Sequence, residues 1–204
     1  MYSKKAVQEI LEAAIDRLVD NFASQPYIHR CEHSLHCELY TMLTVHRSLQ
    51  GLYPLKDNLN YLTTLVHKEW PETIPRPDKK GRRGNFDLVI LDPTEIPKHT
   101  TADFRTGKIA PAFVVEMGLD YDLNHLQRDH IKFTNSHCCA NGYLVHLWQP
   151  HKSITAPHDA LRTWLPTAKS KVAAVVWSPS GPLIKHLWES ALAPRLCLAP
   201  HTQA

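Results

Sequence analysis

Two short runs in the chain read as strands buried in a sheet, Phe86-Asp87-Leu88-Val89-Ile90-Leu91 and Ala112-Phe113-Val114-Val115-Glu116-Met117, and each carries one acidic residue. Side chains alternate between the faces of a strand, so Asp87 points with Val89 and Leu91, and Glu116 with Val114 and Gly118. An acid inside so apolar a run is costly to bury without a partner. If the two strands are neighbours, their carboxylates converge, and paired carboxylates on a rigid sheet suit a hard divalent cation such as Mg²⁺. The plain alternative is that each acid sits at a strand end and reaches water.

The rest of the chain supplies the frame. Val7, Ile10, Leu11, Ala14, Ile15, Leu18, Val19 and Phe22 recur at i, i+3, i+4 spacing and predict a packing helix from Ser3 to Asn21. A second helix is expected from Ser34, as N-cap, to Gly51. In it Leu35, Glu38, Met42, Val45 and Leu49 form one stripe, which puts Glu38 on the apolar side. A carboxylate there needs a buried base or a metal with its waters, unless it lies at the stripe's edge and reaches solvent.

Tyr61 to Trp70 is rich in β-formers and is expected to be the first strand, closed by Pro71. After it comes a loop with five basic residues, Arg76, Lys79, Lys80, Arg82 and Arg83. Beside an acidic site such a loop suits a phosphate backbone; otherwise it is a solvated connector. The polar stretch 94–111 reads as an insertion loop. Leu123, Leu126, His130 and Phe133 share a helical face and predict a crossover helix between the Glu116 strand and a strand at 143–148. Further elements are a helix near His158 to Leu165, a buried strand at 172–177 and an amphipathic helix from Leu183 to Leu192, followed by a loose Pro-containing tail.

At 204 residues the chain is expected to be one domain, with its core at 34–150, the packing helix in front and a strand and helix at 172–192 behind. The net charge of +3 does not by itself announce a nucleic-acid partner. No apolar run approaches the roughly 18–20 residues of a membrane span, and the five Cys lack disulfide-framework spacing. The expectation is a soluble cytoplasmic protein with no membrane partner. Cys31, His33, His36 and Cys37 cluster in sequence, as do His137, Cys138 and Cys139, but neither group repeats a zinc-ligand spacing. GxxxxGK[ST] and GxGxxG phosphate loops are both absent.

A helix carrying Glu38, a strand, a strand beginning Phe86-Asp87, a strand with Val114-Val115-Glu116, then a helix resembles the core of the PD-(D/E)XK nucleases, the restriction-endonuclease-like fold. The resemblance implies an α/β protein with a central mixed sheet of four to five strands flanked by helices. It also implies a metal-dependent nuclease hydrolysing DNA, with RNA as the alternative substrate and Mg²⁺ or Mn²⁺ as cofactor. By the same resemblance Asp87 and Glu116 bind the metal with Glu38 and the Met117 carbonyl. All three acids are then expected within one metal's reach. The family places a Lys two residues after the second acid, where this chain has Gly118. Members of the fold can supply that amine from another element, and Lys68 on the first strand is the first candidate, followed by Gln127 and His125. Lys132 is expected to face solvent, opposite the Leu123 stripe. Without the amine, the rival expectation is a catalytically degenerate nucleic-acid-binding or protein-interaction module.

Overall fold

The computed structural model describes residues 3–76, 79–135, 141–151, 171–178 and 181–186. The expected 158–165 helix, the His137-Cys138-Cys139 group and the tail lie outside them. Helix α1 (Lys4–Ser24) opens on Ser3, whose hydroxyl accepts the Ala6 N–H, and buries Val7, Leu11, Ile15, Leu18, Val19 and Phe22. It ends where Pro26 keeps Gln25 out of the helical conformation, at φ −139° and ψ 71°. Helix α2 (Glu32–Thr44) begins two residues before Ser34, on Cys31, and stops seven before Gly51. Its buried line is Leu35, His36, Leu39 and Leu43, not the expected stripe. Val45 is 66% exposed, and Glu38 is turned toward α1, where Asn21 Nδ2 donates to its carboxylate at 2.9 Å.

The expected first strand is two strands. Strands β1 (Tyr53–Leu55) and β2 (Asn58–Thr63) form a separate antiparallel pair, and β3 (Val66–Pro71) opens the main sheet. That sheet has six strands in the order β3-β4-β5-β6-β7-β8, with β4 at Asn85–Leu91, β5 at Pro111–Leu119, β6 at Gly142–Leu147, β7 at Lys171–Ser178 and β8 at Gly181–His186. The first three strands are antiparallel, β5, β6 and β7 are parallel, and β7 and β8 are antiparallel. The protein is therefore α/β with a mixed sheet, one strand larger than expected. The segment expected to begin a helix at Leu183 is the edge strand β8, because Gly181 at φ 126° turns the chain back along β7.

Helix α4 (Leu123–Asn135) links the parallel pair β5 and β6. Within the stretch expected to be structureless, Thr100 and Asp103 form a reciprocal capping box that starts a short helix, α3 (Thr101–Arg105). Every residue of β5 is buried. Residue parity assigns the two faces: Tyr143, paired with Val115, reaches Glu12 of α1, whereas His146, paired with Gly118, reaches Asp129 of α4. The β5 residues Glu116 and Gly118 thus look toward α4. Among the described residues no helix is long and apolar enough to cross a membrane.

Candidate functional site

Strand register brings the acids of β4 and β5 together. Leu88 pairs with Val115, so Asp87 and Glu116 occupy the next opposed positions at the end of the β4–β5 ladder. Asp87 Oδ2 accepts the Met117 N–H at 2.7 Å, which places that carboxylate in the seam between the strands. Glu116 is fully buried, and its Oε1 has no hydrogen-bond partner among the described residues.

Lys132 is the amine of this site. Its Nζ lies 2.5 Å from Glu116 Oε2 and 3.1 Å from Asp129 Oδ1, and its side chain is only 13% exposed. The expectation that it faces solvent is corrected: the buried face of α4 is Leu126, Asp129 and Phe133, rotated from the Leu123–His130 line. Asp129 is the centre of a small network, with His146 Nε2 at 3.2 Å and His125 Nε2 at 3.4 Å from its Oδ2. Gly118 is what admits His146 to this position. A Cβ at residue 118 would fall 2.5 Å from His146 Cε1 and 2.7 Å from Nδ1.

From the other side, the first turns of α2 contribute Glu32 and His36, one helical turn apart and so on one face. His36 Nε2 lies 3.2 Å from Glu32 Oε1 and 3.7 Å from Asp87 Oδ2. Neither contact is an aligned hydrogen bond, and both His36 nitrogens lack a hydrogen-bond partner among the described residues. Glu32, His36 and Asp87 each offer a ligand atom within 4.8 Å of the others. Two carboxylates and an imidazole this close together are a donor set that a divalent cation takes.

The electrostatics agree with that fit. Burial pushes Glu116 well above the ordinary carboxyl value and the charge of Asp87 adds to it, with Lys132 opposing both. Asp87 is raised as well, by burial that His36 and Lys132 offset only in part. Burial would lower Lys132, yet Glu116, Asp129 and Asp87 outweigh it and raise the amine above its usual value. Burial raises Asp129 and Glu32 too, but the His146 hydrogen bond and the charge of Lys132 in one case, and the neighbouring His36 imidazole and Tyr121 hydroxyl in the other, leave both below the ordinary value. The neighbouring Glu32 carboxylate pushes the Tyr121 hydroxyl up to about 12. Three carboxylates, Glu116, Asp129 and Asp87, thus surround one ammonium, an excess of negative charge that an added cation would relieve.

The other expected site residues fall elsewhere. Glu38 does not join Asp87 and Glu116: its Oε2 lies 2.6 Å from His29 Nε2 and its Oε1 accepts from Asn21, so its place beside Asp87 is taken by Glu32, six residues earlier. Lys68 pairs with Leu88, on the opposite parity from Asp87, and its Nζ donates to Cys37 Sγ at 3.4 Å. Of the four Cys and His residues at 31–37, only His36 enters a ligand cluster, and its companions there are carboxylates; Cys31 and Cys37 are exposed free thiols. His125 borders the site through Asp129. Gln127 makes no contact with it that the described residues show.

The basic loop divides in two. Arg76 is buried with its Nη1 3.5 Å from Glu72 Oε1, and the charge of half-buried Lys79 also acts on Glu72, so both cations serve an internal carboxylate. Gly84 lies against that pair, since a Cβ there would meet Glu72 Oε1 at 2.0 Å. Lys80 and Arg82 are exposed and Arg83 half-buried. They lead into Asn85, whose carbonyl accepts from Lys132 at 3.5 Å, so this part of the loop borders the site.

No known family, curated protein or solved structure matches the chain.

Proposed function

We propose that the protein is a metal-dependent nuclease that hydrolyses phosphodiester bonds of DNA, built on a restriction-endonuclease-like core. The observation that carries this reading is the Lys132 amine seated on Glu116 beside Asp87, delivered by the crossover helix to a site whose own strand has Gly118. Supporting it are the antiparallel β3-β4-β5 meander followed by parallel β6, with α2 before and α4 between. Glu32, His36 and Asp87, with Glu116 adjoining, would hold Mn²⁺ or Mg²⁺. Bound there, the cation would polarise the phosphoryl oxygen and lower the pKa of water. Lys132 Nζ, seated on Glu116, would orient the attacking water and offset charge gathering on the phosphoryl oxygens. Asp129 fixes the amine from its far side. Exposed Lys80 and Arg82, with Arg83, bring the polyanionic strand against a negative pocket that would otherwise repel it.

The test is cleavage of linear and circular DNA with Mn²⁺ or Mg²⁺, together with thermal unfolding. Saturating Mn²⁺, at about a hundred times its Kd, adds about 2.7 kcal/mol, or roughly 5–10 °C in Tm. Asp87→Asn should lose both that shift and cleavage. A wild-type protein that gains no Tm from either cation and cuts no DNA would overturn the proposal, and retained DNA binding in that case would point to a degenerate binding module.

The loop carries a separate expectation. Lys80→Ala/Arg82→Ala/Arg83→Ala should weaken DNA binding and flatten the plot of log K against log salt by up to about 0.9 for each phosphate no longer neutralised. Arg76→Ala should instead lower Tm and leave the slope alone, because it unpairs buried Glu72. Titrations across a salt series distinguish the two, and an unchanged slope in the triple variant would make the loop a mere connector.

A further inference from the structure

We infer that the rim of this site is a stacking platform for single-stranded nucleic acid, formed by Tyr27 and Tyr121. For the position of the cleaved bond this rests on the nuclease reading; for binding it does not. Tyr27, in the connector between α1 and α2, is 61% exposed, and its ring stacks on His151 with centroids 6.0 Å apart and planes 23° apart. Tyr121, 39% exposed between β5 and α4, stacks on His125 at 4.0 Å and 10°. Each ring is thus held in place by an imidazole while remaining open to solvent.

Both tyrosines are tied to one buried strut at the end of β6. Gln149 Nε2 donates to the Pro26 and His29 carbonyls at 3.0 and 2.9 Å, and its backbone N–H donates to Asp120 Oδ1 at 2.7 Å. Trp148 Nε1 donates to the Tyr121 carbonyl at 2.7 Å. The rings are therefore pre-positioned, and little conformational entropy is lost when a base stacks on them. The Tyr121 hydroxyl is near enough to Glu32 to feel its charge, which joins the platform to the ligand cluster, and exposed Arg30 and His33 lie on the connector and first turn that lead into it.

Stacking requires bases with free π-faces, which a duplex does not offer, and it tolerates any base. The carboxylates are also recessed, with Glu116 fully buried and the Asp87 side chain 14% exposed, so a flexible strand can bring a phosphate down to them more readily than a stiff duplex.

The experiment measures fluorescence anisotropy in EDTA, so that no cleavage occurs, using a labelled oligothymidylate of about 20 nucleotides, oligouridylate of the same length and a DNA duplex. One of the single strands should bind at least about tenfold tighter than the duplex, and whichever is preferred tells DNA from RNA. Tyr27→Ala should weaken single-strand binding about tenfold, Tyr27→Trp should restore it, and duplex affinity should not move. Tyr27 is exposed, so its loss leaves the core untouched. Equal affinity for single strand and duplex, or full single-strand affinity in Tyr27→Ala, would overturn the inference. Cleavage with unaltered Tyr27→Ala binding would remove the platform and leave the nuclease reading standing. Stacking-dependent binding without cleavage in Mn²⁺ would do the reverse.

Discussion

Lys132→Arg is expected to cut DNA at least about a hundredfold more slowly than the wild type while unfolding at nearly the same temperature. The guanidinium keeps the positive charge that Glu116 and Asp129 require, so the buried pair survives. It does not keep the compact ammonium or its three directed donors. A positioned donor or acid–base group contributes about 10²–10⁴ in rate. Lys132→Met is expected to be worse in both respects. The thioether fills the space of the lysine stem but leaves Glu116 and Asp129 buried without a cation. Unpairing a buried ion pair costs about 3–5 kcal/mol, on the order of 10 °C in Tm for a chain of this size.

That loss should depend on pH. Glu116 and Asp87 have pKa values raised above their unfolded ones, so the folded protein holds their protons more tightly. Stability from these two groups is therefore full below the unfolded carboxyl values and falls as the pH rises through them toward the folded values. Removing Lys132, which opposes the rise in both acids, widens that window. The Tm gap between Lys132→Met and wild type should accordingly shrink as the pH is lowered toward about 4. Lys68→Ala serves as the control, because its amine rests on Cys37, and it should cut normally. Cleavage by Lys132→Arg within about threefold of wild type would remove Lys132 from the mechanism.

Gly118→Lys puts on β5 the lysine of the family that the sequence resembles, and it is expected to damage the protein rather than improve it. The new Cβ would meet the His146 ring at 2.5 Å, inside a strand buried along its whole length, and His146 is itself 1% exposed and held by Asp129. Overpacking a core costs about 1–3 kcal/mol, and burying a second ammonium beside Lys132 adds to it, so Tm should drop by about 6–12 °C. Gly118→Ala should show most of the steric part. Combining Gly118→Lys with His146→Ala should recover several degrees, because the two changes share one space and their effects are not additive. A Gly118→Ala variant that unfolds within a degree or two of wild type would refute the steric account. A Gly118→Lys variant with full activity in the Lys132→Met background would show that the site accepts the amine from either element.

Gly118 and Lys132 are therefore two sides of one arrangement. At Gly118 the face of β5 carries the edge of the His146 imidazole, and the Lys132 amine reaches Glu116 from α4. Local spacing does not reveal this, because the two residues lie on different elements and meet only across the packed sheet.

Local pattern did determine much of the frame. Alternation within 86–91 and 112–117 is a property of the backbone, so it identified both strands and the acid on each before any partner was known. The i, i+3, i+4 repeat similarly identified α1, α2 and α4. It did not decide which way a helix faces when polar residues lie in the buried stripe. Asp129, between Leu126 and Phe133 at helical spacing, was a legible sign of a buried polar centre on α4, and Glu32 with His36 was a legible i, i+4 pair. The Thr100–Asp103 capping box likewise marked α3. Tertiary packing decided the rest. The roll of α2 set Glu38 on Asn21 and His29 and brought Glu32 to Asp87, because burying Leu35, Leu39 and Leu43 outweighs the placement of one half-exposed carboxylate. Register alone put Asp87 opposite Glu116, and only the docking of α4 on that face turned Lys132 inward, since three neighbouring carboxylates stabilise an ammonium by more than its burial costs.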